Sequence, residues 1–192
     1  MTPKIALFAS GSGSNVENIV RYFAEKRTAE FPLILSNKQD AFVHERAKKL
    51  GIPSVTFSRD EFADGCEIVS LLKKYEVDFV VLAGFLLKIS MPILEAYPDR
   101  IINIHPALLP KFGGKGMYGH HVHQAVVDAG ETQSGITIHY VNEQYDEGNV
   151  IFQATCEVAN DDTPDTVAEK VHALEYLHFP KIIEDVIGKQ LK

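Results

Sequence analysis

The apolar positions of this chain fall into short unbroken runs in the first half and into alternation in the second. Ile5-Ala6-Leu7-Phe8-Ala9 is uniformly apolar, as a strand covered on both faces must be, and the small polar run Ser10-Gly11-Ser12-Gly13-Ser14-Asn15 follows it. Val16 to Arg27 then carries Val16, Ile19, Val20 and Phe23 at helical spacing. Pro32-Leu33-Ile34-Leu35 predicts a second strand, and Ala41 to Leu50 a helix that Gly51 stops. Ser54 to Phe57 predicts a short third strand, and Cys66 to Tyr75 another helix. Val77 to Ala83 is apolar on both faces, the mark of a central parallel strand.

Successive βα units imply right-handed crossovers and a doubly wound α/β fold with a mostly parallel sheet. Ligands in such folds sit beyond the carboxyl ends of the strands, here after Ala9, Ala83 and Ile104. The second half differs. Ile101 to His105 is a strand with polar members, ended by Pro106, and a glycine-rich connection runs from there to about His123, before a short helix to Ala129. Gly135 to Val141 and Val150 to Val158 alternate with a period of two, which predicts an antiparallel extension with one wetter face. Thr163-Pro164 supplies an N-cap and a first-turn proline for a last helix ending near Gly188.

Composition narrows the classes. The 192 residues are 45% hydrophobic and 23% charged, which suits one globular domain over 1–192. Nineteen Lys and Arg against 26 Asp and Glu give a net charge of -7, which argues against a broad nucleic-acid surface. Cys66 and Cys156 form no disulfide scaffold and lack metal-ligand spacing, as expected of a reducing cytoplasm. No apolar run reaches the roughly 18 residues of a membrane span, and the N-terminus has no signal-peptide layout. The expectation is a cytoplasmic, single-domain, soluble protein with no membrane segment.

Three groups of residues carry candidate chemistry. The Gly-Ser run after the first strand can bring backbone N–H groups and a helix N-terminus to an anion. It lacks the Gly-Lys-Ser/Thr of a Walker loop, has Val16 where a dinucleotide fingerprint needs glycine, and no acidic ribose partner follows the second strand. A site for one phosphate remains, against the plainer reading of a tight turn with a capping serine. Asn103 and His105, two apart, project to one face at a strand end and can polarise a carbonyl. The plainer reading there is a satisfied core histidine beside an asparagine. Asp146, in the polar loop Asn142 to Gly148, would favour the imidazolium and raise its pKa if it lay beside His105. His120, His121 and His123 have no Cys or acidic ligand at suitable spacing, so no metal is expected; Lys111 and Lys115 read as solvated, and Tyr176 and Phe179 as core.

Taken together, these residues give a chain that resembles the phosphoribosylglycinamide formyltransferases, within a larger family of formyl transferases that use 10-formyltetrahydrofolate. The resemblance runs from Lys4 to about Leu191. Its most specific block is Asn103-Ile104-His105-Pro106-Ala107-Leu108-Leu109-Pro110-Lys111, supported by Ser10 to Asn15, Ala83-Gly84-Phe85 and Tyr145-Asp146-Glu147-Gly148 in order. The resemblance implies that Asn103, His105 and Asp146 are catalytic, that Gly13, Ser14 and Asn15 hold the phosphate of glycinamide ribonucleotide, and that Glu175 contacts its glycinamide end. It also implies that Leu86, Leu87, Lys88, Ile89 and Asn103 form the folate site, with no metal, and that the chain is an enzyme with small-molecule partners, no nucleic acid and no membrane, as a monomer or homodimer.

The implied reaction is formyl transfer from 10-formyltetrahydrofolate to glycinamide ribonucleotide in de novo purine biosynthesis, with a protonated His105 held by Asp146. The loop 112–120 is longer than in many bacterial relatives, His172 stands where many have Gln, and Arg59 is the nearest basic candidate for the folate tail. Three rivals are a formyltransferase acting on methionyl-tRNA, a folate-deformylating hydrolase and a binding protein without catalysis. The first fits poorly with one domain and a charge of -7, the second usually carries a further N-terminal domain, and the third would not need the trio.

Overall fold

The computed structural model describes residues 2–190; Met1, Leu191 and Lys192 lie outside the described residues. The elements run β1 (Lys4–Phe8), α1 (Ser14–Lys26), β2 (Glu30–Ser36), α2 (Val43–Leu50), β3 (Ser54–Thr56), α3 (Arg59–Asp64), α4 (Cys66–Lys74), β4 (Phe79–Leu82), α5 (Met91–Ala96), β5 (Ile101–His105), α6 (His120–Asp128), β6 (Gln133–Tyr140), β7 (Val150–Glu157) and α7 (Pro164–Gln190). One seven-stranded sheet has the order β3-β2-β1-β4-β5-β6-β7. The first five strands are parallel and β6 and β7 antiparallel, as the change in periodicity predicts.

Two cores cover the sheet, and the unbroken runs explain both. Ile5 and Leu7 face α1 and α7, where Val16, Ile19, Phe23, Val171 and Phe179 are buried. Ala6 and Phe8 face the opposite core, with Phe57, Phe62, Ile68, Leu72 and Phe85. There the Phe57 and Phe62 rings stack at 4.8 Å between centroids, and Phe85 meets Phe8 edge-on at 5.4 Å. Each such aromatic pair adds about 1 kcal/mol beyond its buried area. Phe85 thus anchors the turn after β4 in the core.

The structure departs from the sequence pattern in several places. Two short helices, α3 and α5, interrupt segments that periodicity leaves as connections. The helix expected after His123 starts at His120, so all three clustered histidines lie on α6. β6 has no wet face: from Ser134 to His139 it is buried throughout. The reason is its position between β5 and β7, with the segment 107–109 folded over its polar side. Thr137 Oγ1 donates to the Ala107 carbonyl at 2.7 Å and accepts from Leu109 N–H at 3.0 Å. Only β7, an edge strand, alternates in exposure. Tyr176 is not core but 42% exposed, while Phe179 is fully buried as expected.

Gly135 marks a close approach in this second half. A Cβ there would collide with the Ala154 carbonyl oxygen across the β6–β7 ladder and with Leu108. Gly135→Ala is expected to destabilise the fold by about 1–3 kcal/mol through overpacking. A thermal midpoint lowered by several degrees checks this; an unchanged midpoint would show that the ladder can open at no cost.

Candidate active site

β1 lies between β2 and β4, and the order of strands reverses there, so the carboxyl ends of β1, β4 and β5 part around a crevice. The crevice is a cavity of about 570 Å3. Its lining includes the Ser10 to Asn15 run, Leu82 to Ile89, Asn103 to Pro106 and residues of α6 and α7.

The Gly-Ser run enters α1 through Gly13, which has φ 71° and no side-chain cap on the helix. Only glycine fits: a Cβ would stand 2.5 Å from Val43 Cγ2. The run is pinned to α2, with Val43 N–H donating to Gly11 O and Arg46 Nε to Ser12 O. Gly13 supplies no cap, and the Ser14 N–H makes only a long contact of 3.4 Å with Ser12 Oγ, so the N-terminus of the 13-residue α1 can still turn toward an anion. Gly13 and Ser14 sit where a phosphate reading needs them. The Asn15 side chain turns the other way, donating from Nδ2 to Glu175 Oε2 on α7 at 2.8 Å, with both residues buried.

The turn after β4 is tied to the turn after β1 by one hydroxyl. Ser10 Oγ donates to Asn37 Oδ1 at 2.6 Å and accepts the Leu86 N–H at 3.0 Å. Leu86 N–H is therefore engaged within the protein and is not free for a ligand. Leu86, Leu87, Lys88 and Ile89 all line the cavity, with Lys88 exposed and Ile89 packed into the core beneath. Arg59, Lys38 and Lys115 line it too. Lys111 instead pairs with Glu131 at 2.8 Å.

β5 delivers Asn103 and His105 to one face, and β6 completes the group. The antiparallel register sets Asn103 opposite His139 and His105 opposite Thr137. His139 Nδ1 donates to the Tyr140 carbonyl at 2.8 Å, which leaves Nε2 to accept from Asn103 Nδ2 at 3.2 Å. The second N–H of that amide remains free. Asp146, at φ 56° in the β6–β7 loop, places one carboxylate oxygen 3.6 Å from His105 Nδ1 and the other 3.6 Å from His139 Nε2. Its closest partner is the Gly114 N–H, at 2.9 Å. His105 Nε2 donates to the Phe112 carbonyl at 2.8 Å. The glycine-rich loop thus holds both members of the pair through its backbone.

The structure corrects the expected charge on His105. Burial is the dominant influence and lowers its pKa; Asp146 and the Phe112 carbonyl pull it up, and the net direction is below the ordinary 6.5. Asp146 draws the imidazole toward protonation but does not overcome desolvation. Burial pushes Asp146 up as well, yet the His139 and His105 rings and the Gly114 N–H outweigh it and hold the carboxylate below its ordinary value. His105 is therefore mostly neutral at pH 7, beside an ionised Asp146.

The remaining candidates separate. His120 is exposed and lies 3.6 Å from Asp165, and His121 meets the Tyr118 ring edge-on at 5.3 Å. His123 is buried at the cavity wall, its pKa lowered to about 4 first by burial and then by His172, His120 and His105. Among the described residues no group of three or more His, Cys, Asp and Glu side chains is placed to hold a metal.

Comparison with known proteins matches residues 3–183 to the family model described as formyl transferase. The chain belongs to the formyl transferase family. A relative from Arabidopsis thaliana named phosphoribosylglycinamide formyltransferase, chloroplastic, is 41% identical over 98% of this chain and 67% of its own length. The trifunctional purine biosynthetic protein adenosine-3 of Drosophila pseudoobscura pseudoobscura is 38% identical over 94% of this chain, which spans only 13% of that protein. The crystal structure of phosphoribosylglycinamide formyltransferase from Bacillus halodurans superposes with a TM-score of 0.89 at 35% identity, covering 97% of this chain and 96% of that one. This formyl transferase thus has an α/β fold shared with solved members over nearly its whole described length.

His139 is the member of the group that sequence reasoning does not single out. Its signal is present in Gly135-Ile136-Thr137-Ile138-His139, where alternation sets Thr137 and His139 on the polar face. What is missing is the register that sets His139 against Asn103.

Two outcomes follow from these ionisations. Asp146→Asn removes an upward influence, so the NMR titration midpoint of His105 is expected to fall further; an unchanged midpoint would show that the two groups are not coupled. His123, with a folded pKa of about 4 against an ordinary 6.5, leaves the folded state short of a proton below pH 6.5. Stability should therefore fall as pH drops from 6.5 to 4, by up to about 3 kcal/mol from this group. Denaturant midpoints across that range check this, and His123→Leu should flatten the slope.

Proposed function

We propose that this chain transfers the formyl group of 10-formyltetrahydrofolate to the amine of glycinamide ribonucleotide. The products are formylglycinamide ribonucleotide and tetrahydrofolate, in de novo purine biosynthesis. The observation that carries the reading is the Asn103, His105 and Asp146 group, placed between an uncapped helix N-terminus and the turn after β4. The names of the relatives support the same assignment.

In this reading Gly13 and Ser14 receive the phosphate through backbone N–H groups, and the Leu86 to Ile89 turn lines the folate site. The neutral amine attacks the formyl carbon, whose carbonyl oxygen takes the negative charge of a tetrahedral intermediate. The free N–H of Asn103 and an N–H of His105 stabilise that oxyanion. Collapse breaks the bond to N10 of the folate; the attacking amine loses a proton and N10 gains one. His105 must release the Phe112 carbonyl for Nε2–H to reach the oxyanion. A buried imidazole with a lowered pKa gives up a proton readily, and the charge on Asp146 favours the moment at which the ring carries two. Holding both substrates in one crevice supplies much of the remaining acceleration.

The reading includes one domain, small-molecule partners only, and a reducing cytoplasmic setting for the free Cys66 and Cys156. Among the described residues no helix is long and apolar enough to cross a membrane.

The test is one assay in two arms, 10-formyltetrahydrofolate with and without glycinamide ribonucleotide. Tetrahydrofolate formed only with the ribonucleotide, together with formylated product, is expected; equal release in both arms would make the chain a hydrolase. His105→Ala should slow transfer by on the order of 10² to 10³, as for a lost oxyanion donor. Undiminished turnover would remove His105 from the mechanism.

A further inference from the structure

A second cavity, of about 300 Å3, lies between the segment after β5, the end of α6 and the start of β6, and shares no lining residue with the crevice. Leu108, Pro110, Phe112 and Val126 give it apolar walls. Ser134 lines it as well and is only 2% exposed, yet its Oγ has no hydrogen-bond partner among the described residues. A buried hydroxyl left unpaired is destabilising until a ligand pairs with it.

The walls restrict that ligand. Lys111 donates to both carboxylate oxygens of Glu131, at 2.8 and 3.1 Å, so neither charge beside the cavity is left to attract an ion. The ligand is then neutral and mostly apolar, with one hydroxyl for Ser134, whose own hydroxyl both donates and accepts. An apolar cavity of about 150 Å3 takes benzene, so this larger one suits a bicyclic aromatic. Water is a poor occupant, because each buried molecule needs roughly two to four polar partners and the walls are mostly apolar. Phe112 joins the cavity to the reaction centre: it lines the one, and its carbonyl accepts the His105 Nε2–H at 2.8 Å in the other. Its φ of 55° is left-handed, a costly conformation for a bulky residue that persists only where the surroundings enforce it. A ligand packed against Phe112 adds to those surroundings and favours the arrangement in which His105 stays on the carbonyl.

We propose that this cavity is a regulatory site for a neutral bicyclic aromatic bearing a hydroxyl. Its occupant pairs with Ser134 and slows the enzyme by holding Phe112, and with it His105, in the resting hydrogen bond. The binding stands on the cavity alone; the inhibition rests on the reading given above, in which His105 releases that carbonyl to reach the oxyanion.

The probes are 2-naphthol and naphthalene, which share a ring system and differ by the hydroxyl. Binding is read from the Leu108 and Val126 methyl NMR signals and the lock from exchange of the His105 Nε2 proton with water. Inhibition is read from kcat and KM for both substrates. On the unaltered chain 2-naphthol should shift the methyls of both residues, slow that exchange several-fold and lower kcat at unchanged KM. Ser134→Ala keeps the space and should weaken 2-naphthol about five- to tenfold, the scale of one lost hydrogen bond, while leaving naphthalene as it was. Ser134→Leu fills the space and should abolish binding and inhibition with the uninhibited kcat retained; thermal midpoints identify the variants that fold. No methyl shift up to the solubility limit of 2-naphthol would overturn the site. Inhibition that competes with the folate and survives Ser134→Leu would put the probe in the crevice and overturn the proposal. Bound probe with unchanged His105 exchange would overturn the coupling. If the chain transfers no formyl group to glycinamide ribonucleotide, the reaction reading falls, while the methyl shifts and the His105 exchange still decide this one.

Discussion

The antiparallel pairing of β5 with β6 is the constraint on which the site depends. A parallel neighbour would need a crossover and would place its own carboxyl end beside that of β5. The antiparallel one runs back past β5, so Asn103 meets His139 directly and the loop after β6 carries Asp146 into the same group. Most polar atoms in that group are then bound by backbone or by a neighbour, and one N–H of the Asn103 amide is left over. The Tyr140 carbonyl fixes the tautomer of His139, His139 orients Asn103, and the glycine-rich loop holds His105 and Asp146. A polar cluster this deep survives because its members satisfy one another.

Charge in the cluster follows from burial more than from pairing. A carboxylate near an imidazole suggests an ion pair, and at the surface it would be one. Here desolvation acts on both groups, and the resting state is an ionised Asp146 beside a neutral His105. Such a pair is poised: a small gain in negative charge near the ring, as in a developing oxyanion, favours its protonation.

Much of this was legible in the sequence, and the limits have physical causes. Unbroken apolar runs mark parallel strands because helices cover both faces, and the shift to alternation at Gly135 marks the antiparallel pair. Asn103 and His105 stand out because polar residues at a strand end need a reason. α3 carries its own signal in Ser58 and Glu61, which form a capping box, but six residues are too few for a helical period to show. The burial of β6 was not legible, because its cover comes from residues 107–109, distant in sequence and placed by Thr137. The charge on His105 was not legible either, since sequence gives neighbours in the chain and not the degree of desolvation.

The loop over the site is fastened at its start. Phe112 and Gly114 make the contacts with His105 and Asp146, and α6 takes over at His120. Between Gly114 and Gly119 the backbone has no such duty. Insertions and deletions can therefore accumulate in that stretch without moving the polar group beneath it, which makes it a natural place for lineages to vary in length and for a designer to graft new contacts at the mouth of the crevice.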